Sequence, residues 1–367
     1  MTLPSSWRPA PRPLLPALAL CLGLSVGTGC AGALDRAVKR RTVPQLALAR
    51  DLEVACAFGE VGVALSATVS GQRSEEALAV AWTMAGLCAE LDAREAALQA
   101  QLRLVQLPVE ARAAAATDAR LQAARRHALA ALRFQKGYEW TLAAYGGADD
   151  CKLPGDAEAG VYLLGLMAGL LAQVNDAEAG GAAGVPLNQI LEVGRATACL
   201  DDSRWWAIPA AARFAGQATV PGSAPPGVDP WAGLADAAAR GDAQGQGIPR
   251  ALWLFAAANA GNDALVREIL EGWPAVDPDQ QAQWPLLDEY ARVIARQEAD
   301  LLWIAAQGHR APAPPAPPAA AAAPGADPFG ADPFGSAPFG ADPLDAETPA
   351  DPKDPSGGGA PAPPPAP

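Results

Sequence analysis

Histidine is almost absent from this chain of 367 residues, which contains only His127 and His309. Two histidines so far apart exclude the H-E-x-x-H zinc motif and any metal centre built from three histidines. Lysine is rare as well, and none of the four lysines follows a glycine, so the sequence has no phosphate-binding P-loop. We therefore expect no metal ion, no cofactor and no enzyme activity. An enzyme with an unrecognised site is a less favoured alternative.

Residues that favour strands are also few, with four tyrosines, seven phenylalanines and little isoleucine or threonine. Alanine, leucine and valine dominate instead, and this composition favours helices over strands. The segment 42–307 is long enough to bury on the order of 70–75% of the surface of its unfolded chain. The composition therefore predicts an all-α domain over residues 42–307.

The balance of charge is acidic, because 27 basic and 40 acidic side chains give a net charge of −13. Residues 1–29 contain two arginines and no acid, so the chain without them has a net charge of −15. This charge argues against nucleic acid as a partner, and against adhesion to anionic lipid by overall charge alone.

An apolar run of 13 residues, 14–26, follows two arginines near the start of the chain. It is too short to span a bilayer, and it has the length of the apolar region of a signal peptide. Small residues and Cys30 come next, which resembles the lipobox of bacterial lipoproteins, although that pattern favours leucine where Gly27 stands. We expect a signal peptide over 1–29 and a lipidated tether over 30–41.

The residue after the cysteine bears on the location of the protein. By analogy with lipoprotein sorting in other bacteria, Ala31 favours the outer membrane, with the protein facing the periplasm. The alternative is ordinary signal-peptidase cleavage after Ala33, with Ala31 completing an A-x-A pattern and no lipid on Cys30.

Helix signals divide the domain into successive antiparallel hairpins. The predicted helices span about 42–69, 74–107, 110–145, 156–174, 186–200, 203–218, 230–240, 249–259, 263–272 and 279–307. The first helix has few charges, and its apolar side chains point in several directions, so we expect it to be buried on most sides. Gly160, Gly165 and Gly169 should let a second helix approach the fourth closely. Pro285 should bend the last helix or reset its start.

The cysteines indicate two disulfides. Cys21 is expected to leave with the signal peptide and Cys30 is the candidate lipid anchor, which leaves four others: Cys56, Cys88, Cys151 and Cys199. An even number in an exported chain suggests two bonds, with three possible pairings. The first two lie equally far from the turn between the first two helices, and the other two fall at one end of the second hairpin. We therefore predict Cys56–Cys88 and Cys151–Cys199, with coincidental spacing as the alternative.

Two clusters are candidates for binding a partner or a ligand. One is a basic face on the third helix, whose residues fall in one sector of about 100°: Arg125, Arg126, Arg133 and Lys136. An acidic ligand or partner surface would fit this face, and the alternative is a solvated face paired with neighbouring Glu and Asp. The other is Trp205-Trp206, where one ring would line a cleft unless both rings pack in the core.

The chain from 308 onward is predicted to be a disordered tail. It consists mostly of Ala, Pro, Gly and Asp, and the motif ADPFG at 326–330 recurs three times in full or altered form. Such a sequence cannot bury enough apolar surface to fold, so we interpret it as an envelope spacer.

Three features together resemble a known family. An export signal with a cysteine leads into long paired helices. Residues 195–206 read RATACLDDSRWW, followed by PAAA at 209–212. A later helix reads RALWLFAAA at 250–258, followed by GND at 261–263 and LVREIL at 265–270. Over residues 43–272 the chain is similar to the T-component lipoproteins of tripartite ATP-independent periplasmic (TRAP) transporters.

The resemblance implies antiparallel helical hairpins in a degenerate tetratricopeptide-like array, a trimer and apolar channels. It also implies a non-enzymatic transport role, in which the protein binds a periplasmic solute-binding protein or a small organic ligand. The alternative is a helical-repeat scaffold lipoprotein that assembles other envelope proteins.

Overall fold

The computed structural model describes residues 36–69, 75–274 and 283–312. All of them belong to one unit, Met1–Pro314. The predicted signal peptide, Cys30, Ala31 and the tail beyond 312 lie outside the described residues.

The described residues contain eleven α-helices and no β-strand, so the prediction of an all-α fold is confirmed. The helices are α1 Val43–Ala47, α2 Leu52–Val69, α3 Glu75–Gln106, α4 Val109–Tyr145, α5 Asp156–Glu178, α6 Gln189–Ala196, α7 Ile208–Thr219, α8 Pro230–Asp242, α9 Ile248–Asn259, α10 Asp263–Glu271 and α11 Pro285–Gln307. A π-helical turn, Val38–Thr42, precedes α1, and a 3-10 turn, Thr197–Cys199, follows α6.

The hairpin of α3 and α4 is the central structural unit of the described residues. Acidic residues Glu75 and Glu76 occupy the first turn of α3, where they complement the helix dipole. Pro108 ends the first helix and, in an extended conformation, precedes the first residue of α4. Gly146 ends α4 at a φ of +82°, a backbone angle that glycine adopts without strain. The two helices pack against each other along most of their length.

Helix α5 lies at the core. Every residue from 160 to 170 is buried, and a Cβ at Gly169 would lie 2.8 Å from both Tyr138 on α4 and Val193 on α6. The glycines therefore permit close helix contact, as predicted. This helix is long and apolar enough to cross a membrane, with a mean hydropathy of 1.5, but 72% of that stretch is buried inside the fold. Its position in the core accounts for its composition.

The remaining helices continue the array and then return to its start. Each of α6 to α10 packs on the next or next-but-one helix, with α7, α8 and α9 in mutual contact. Helix α11 then packs against α9 and α3, which closes the chain back onto the first hairpin. This arrangement of successive hairpins is the degenerate tetratricopeptide-like array that the sequence predicts.

The first predicted helix, 42–69, differs from the structure in two ways. It is interrupted between α1 and α2, where Asp51 Oδ1 accepts hydrogen bonds from the backbone N–H of Glu53 at 2.8 Å and Val54 at 3.4 Å. This Asp51 cap gives α2 its own start. The expectation of burial on most sides is also wrong, because only a narrow face of α2, centred on Ala55 and Gly59, is buried against the core.

Two later helices start later than predicted. Residues 201–207 form turns, in which Asp201 accepts backbone hydrogen bonds from Ser203 and Arg204, and α7 begins only at Ile208. Trp206 and Ala207 lie in the left-handed region at φ of 53° and 61°, which stops a helix from forming through them. Pro285 occupies the first turn of α11 and so resets the start of that helix, one of its two predicted effects.

Candidate ligand cavity

Two adjacent apolar cavities lie between α3, α5, α9 and α11. They share Met167 and Leu171 on α5, Ile248 on α9 and Tyr290 on α11 as lining residues. Their volumes are about 30 and 40 Å³, so each has room for about two or three water-sized groups. Together they form a small apolar space inside the helical array.

A buried charged cluster borders the first cavity through Arg94 and Tyr290. Glu90 on α3 is fully buried, and its Oε1 accepts hydrogen bonds from Nε and Nη2 of Arg94 at 3.0 and 2.7 Å. The hydroxyl of Tyr290 donates to the other oxygen, Oε2, at 2.6 Å. Gln297 on α11 accepts a further hydrogen bond from Nη1 of Arg94. The cluster ties α11 to α3.

The electrostatics hold this cluster in one protonation state. Burial lowers the pKa of Arg94, but the charge and hydrogen bond of Glu90 together with the charges of Tyr290 and Glu298 outweigh burial and raise this pKa. Burial, and then the charge of Glu90, raise the pKa of Tyr290 well above its ordinary value of 10. Near neutral pH the guanidinium is therefore charged and the phenol is protonated. Burial also raises the pKa of the neighbouring Glu298, against the opposing charge of Arg94.

The arrangement can bind but is not set up to transfer a proton. Arg94, which lines the first cavity, has five N–H groups, of which three donate to Glu90 and Gln297. The wall of the first cavity is nonetheless almost entirely apolar, so the space suits a small apolar ligand. The part of the chain that the structure describes holds no group of three His, Cys, Asp or Glu placed to bind a metal ion.

The predicted basic face of α4 is largely paired. Arg126 lies 3.2 Å from Asp92 of α3, and Lys136 lies 2.6 Å from Glu139 of its own helix. Arg133 pairs with Glu60 of α2 and donates to the backbone carbonyl of Ala85. Arg125 is exposed. Three of the four cations thus pair with neighbouring acids, which is the alternative interpretation of this face.

Trp205 and Trp206 are both buried. Their rings pack edge-to-face with centroids 5.6 Å apart, and Trp284 packs on both, at 5.5 and 5.9 Å. This arrangement is core packing, the alternative to a ligand-binding role. The left-handed backbone at Trp206 turns its ring into the cluster.

The structure pairs Cys56 with Cys88 and Cys151 with Cys199 as disulfides, with Cα atoms 5.0 and 6.4 Å apart. This is the pairing that the hairpin geometry predicts. The first bond fixes α2 to α3, and the second fixes the α4–α5 loop to the end of α6.

Sequence reasoning missed the cluster of Glu90, Arg94 and Tyr290. One signal was present, because Glu90 and Arg94 are four residues apart in a stretch rich in alanine and leucine, where an i,i+4 ion pair on a core helix is expected to be buried. Tyr290 is 200 residues away in sequence from Glu90, and only the fold brings it there.

Comparisons with protein-family models, with curated proteins and with solved structures find no match to this chain.

Proposed function

We propose that this protein is a non-enzymatic lipoprotein of the cell envelope that binds a small, mostly apolar organic molecule. One observation carries the proposal: an apolar cavity beside Arg94, closed inside a helical array. Pockets for small molecules are typically concave and apolar, with a few polar groups that fix orientation. The cavity between α3, α5, α9 and α11 has this character.

The size and charge of the cavity define the ligand class. The two volumes of about 30 and 40 Å³ admit a molecule with on the order of five heavy atoms. Glu90 already neutralises Arg94, so a ligand carboxylate would leave an excess negative charge in the interior. A neutral ligand with one acceptor, such as a short ketone, fits better than the corresponding acid.

The resemblance to TRAP transporter T-components supports the proposed location, oligomeric state and protein partner. By that analogy the protein is anchored through Cys30 in the outer membrane, forms a trimer and binds a periplasmic solute-binding protein. A scaffold for envelope protein assembly is the second reading of the same helical array. Copurification from membranes separates these readings, because only the transport role requires a solute-binding protein in the complex.

Methionine methyl groups provide a direct test of the cavity. Apart from Met1, the chain contains only Met84 and Met167, and both line the cavities. Butanone added to the protein with labelled methionine methyls should shift both NMR signals, and butyrate should shift them much less.

Ala251→Leu fills the first cavity and should weaken butanone binding about tenfold, since it occupies the space of the ligand. Ala239→Leu makes the same change at an exposed position of α8 and should leave binding unchanged. Absence of any methyl shift with butanone, or equal shifts in the two variants, would contradict a ligand in this cavity.

A further inference from the structure

The outer face of α2 is an exposed apolar ridge. Val54, Val61 and Leu65 are each more than half exposed, and Ala57 and Ala64 are exposed between them. At 100° per residue these five positions fall in one sector of about 100°. An apolar sector of that width normally faces a core, and here it faces outward.

A second exposed stripe runs along α4. It contains Leu121, Arg125, Leu129, Leu132 and Lys136, which fall in one sector of about 80°. These five side chains are exposed, and the three leucines are each about half exposed. The exposed acids Asp118 and Glu139 lie in the same sector, so the stripe carries apolar side chains and charges of both signs.

The two surfaces are neighbours. Both helices pack on α3, and the ion pair of Arg133 with Glu60 joins α4 to α2. Of the twelve large apolar side chains that the described residues expose, seven lie either between positions 48 and 65 or on this stripe. We call the ridge of α2 together with the stripe of α4 the α2–α4 face.

The charges at the edge of this face favour anions. Residues 36–50 contain five basic residues and no acid, and Arg40, Arg41 and Arg50 among them are exposed. Several acids near the face are engaged. Asp51 caps α2, Glu60 pairs with Arg133, and the partners of Arg126 and Lys136 are Asp92 and Glu139. Glu53 beside the ridge and Asp118 on the stripe are exposed acids that oppose this attraction.

The proposed lipid anchor at Cys30 would also lie close to the start of the described residues. Cys30 is six residues before Arg36, and six residues span at most about 21 Å when fully extended. A lipid on Cys30 would therefore hold the segment that leads into α1 and α2 close to the bilayer.

We propose that the α2–α4 face lies on the surface of a phospholipid bilayer. Its valines and leucines enter the boundary between headgroups and acyl chains, while Arg125 extends its charged end to lipid phosphates. The basic segment 36–50 adds attraction to anionic lipid within a Debye length. The orientation rests on the proposed anchor at Cys30, but the affinity of the face for lipid does not.

Flotation with vesicles tests the face without the anchor. The oxidised chain from residue 31 onward retains every described residue and has no Cys30 to carry a lipid. It should float with vesicles of phosphatidylethanolamine and phosphatidylglycerol, and bind more weakly to phosphatidylcholine alone. Val61→Glu with Leu132→Glu should reduce binding about tenfold, because each places a charge among the acyl chains.

Leu187→Glu with Val228→Glu makes the same type of change at exposed apolar positions outside the face, where Leu187 is 84% exposed, and should bind like the unaltered chain. Circular dichroism checks that both double variants are folded. Equal binding of the two double variants, or no flotation of the unaltered chain, would overturn the proposal.

Two further measurements distinguish a membrane-binding face from attachment by the lipid anchor alone and from a dimer interface. If full-length protein incorporates radiolabelled palmitate at Cys30 but the chain from 31 does not float, the anchor is supported and the face is not a membrane surface. If Val61→Glu with Leu132→Glu instead converts a dimer to a monomer in sedimentation, with no vesicle binding in either form, the face joins two copies and the proposal fails.

Discussion

At the scale of single residues, burial of the Tyr162 hydroxyl carries the clearest free-energy cost in the core. Tyr162 is fully buried on α5 and packs edge-to-face on Tyr145 with ring centroids 6.0 Å apart. Its oxygen has no hydrogen-bond partner among the described residues. Burying a hydroxyl without a partner costs on the order of 1–3 kcal/mol.

Tyr162→Phe should therefore leave the free energy of unfolding unchanged or raise it by about 1 kcal/mol. It should also change the response to alkali. Burial raises the pKa of Tyr162 to about 12 from an ordinary value of 10. The folded state thus keeps this proton where the unfolded state loses it, so the stabilisation is fully present below pH 10 and is lost as the pH rises through about 12.

Urea denaturation across this pH range measures the effect. The variant should lose less stability than the unaltered protein between pH 10 and about 12. Burial also raises the pKa of Tyr138 to about 12, so part of the alkaline loss should persist in the variant. Identical pH profiles would show that Tyr162 is solvated in the folded protein.

At the scale of helices, glycine positions decide how closely α5 packs. A Cβ on Gly165 would overlap the side chain of Thr141 on α4, which is itself buried and held by a hydrogen bond to the carbonyl of Gly137. A Cβ on Gly194 of α6 would meet only Arg213, at an ordinary contact of 3.6 Å.

The two glycines should therefore respond oppositely to the same substitution. Gly165→Ala should destabilise the protein by about 1–3 kcal/mol, because the core must shift to admit a methyl group. Gly194→Ala should stabilise it by about 0.5–1 kcal/mol, since alanine favours the helix and finds room. Thermal unfolding of both variants tests this, and destabilisation by Gly194→Ala would mean that α6 and α7 pack more tightly than described.

The helical class was predictable, but the number of helices and some boundaries were not, because ten helices were predicted and the break at Asp51 makes eleven. Pro108 and Gly146 act locally, so the ends of α3 and α4 could be predicted from the sequence. The start of α7 could not, because the left-handed turn at Trp206 exists only once its ring packs against Trp284, which is far away in sequence. The cap at Asp51 was visible in the sequence, but the long apolar pattern around it favoured one helix.

At the scale of the whole molecule, the buried ion pair of Glu90 and Arg94 closes the array. It joins the first hairpin to α11 through Tyr290 and Gln297. Such pairs add little net stability compared with apolar residues of similar size, but removing one partner leaves an uncompensated buried charge.

Glu90→Gln should therefore lower the free energy of unfolding by about 3–5 kcal/mol. Glu90→Leu combined with Arg94→Met should recover most of this loss, because neither charge is then buried alone. Urea denaturation of the two variants decides the point. A double variant as unstable as Glu90→Gln would show that the polar contacts to Tyr290 and Gln297 carry the stability.

The cavity, which forms at the scale of the whole molecule, could not be predicted from the sequence. The predicted site residues were surface cations and paired tryptophans, since clustering along one helix is visible in a sequence. The cavity instead forms where α3, α5, α9 and α11 meet, and residues such as Met167 and Ile248 look like ordinary core residues until the helices are assembled. The cavity depends on the contact of α11 with α3, and local sequence patterns do not indicate this long-range contact.

The order of the disulfides along the chain has a consequence for biogenesis. Each bond joins a cysteine to the next one available, Cys56 to Cys88 and Cys151 to Cys199, and the two loops do not overlap. If the chain is exported, as proposed, an oxidase that couples thiols in the order in which they emerge from the export channel produces the native pairs directly. Maturation of this protein should need no isomerase, and a lipid on Cys30 would remove the one thiol that could interfere.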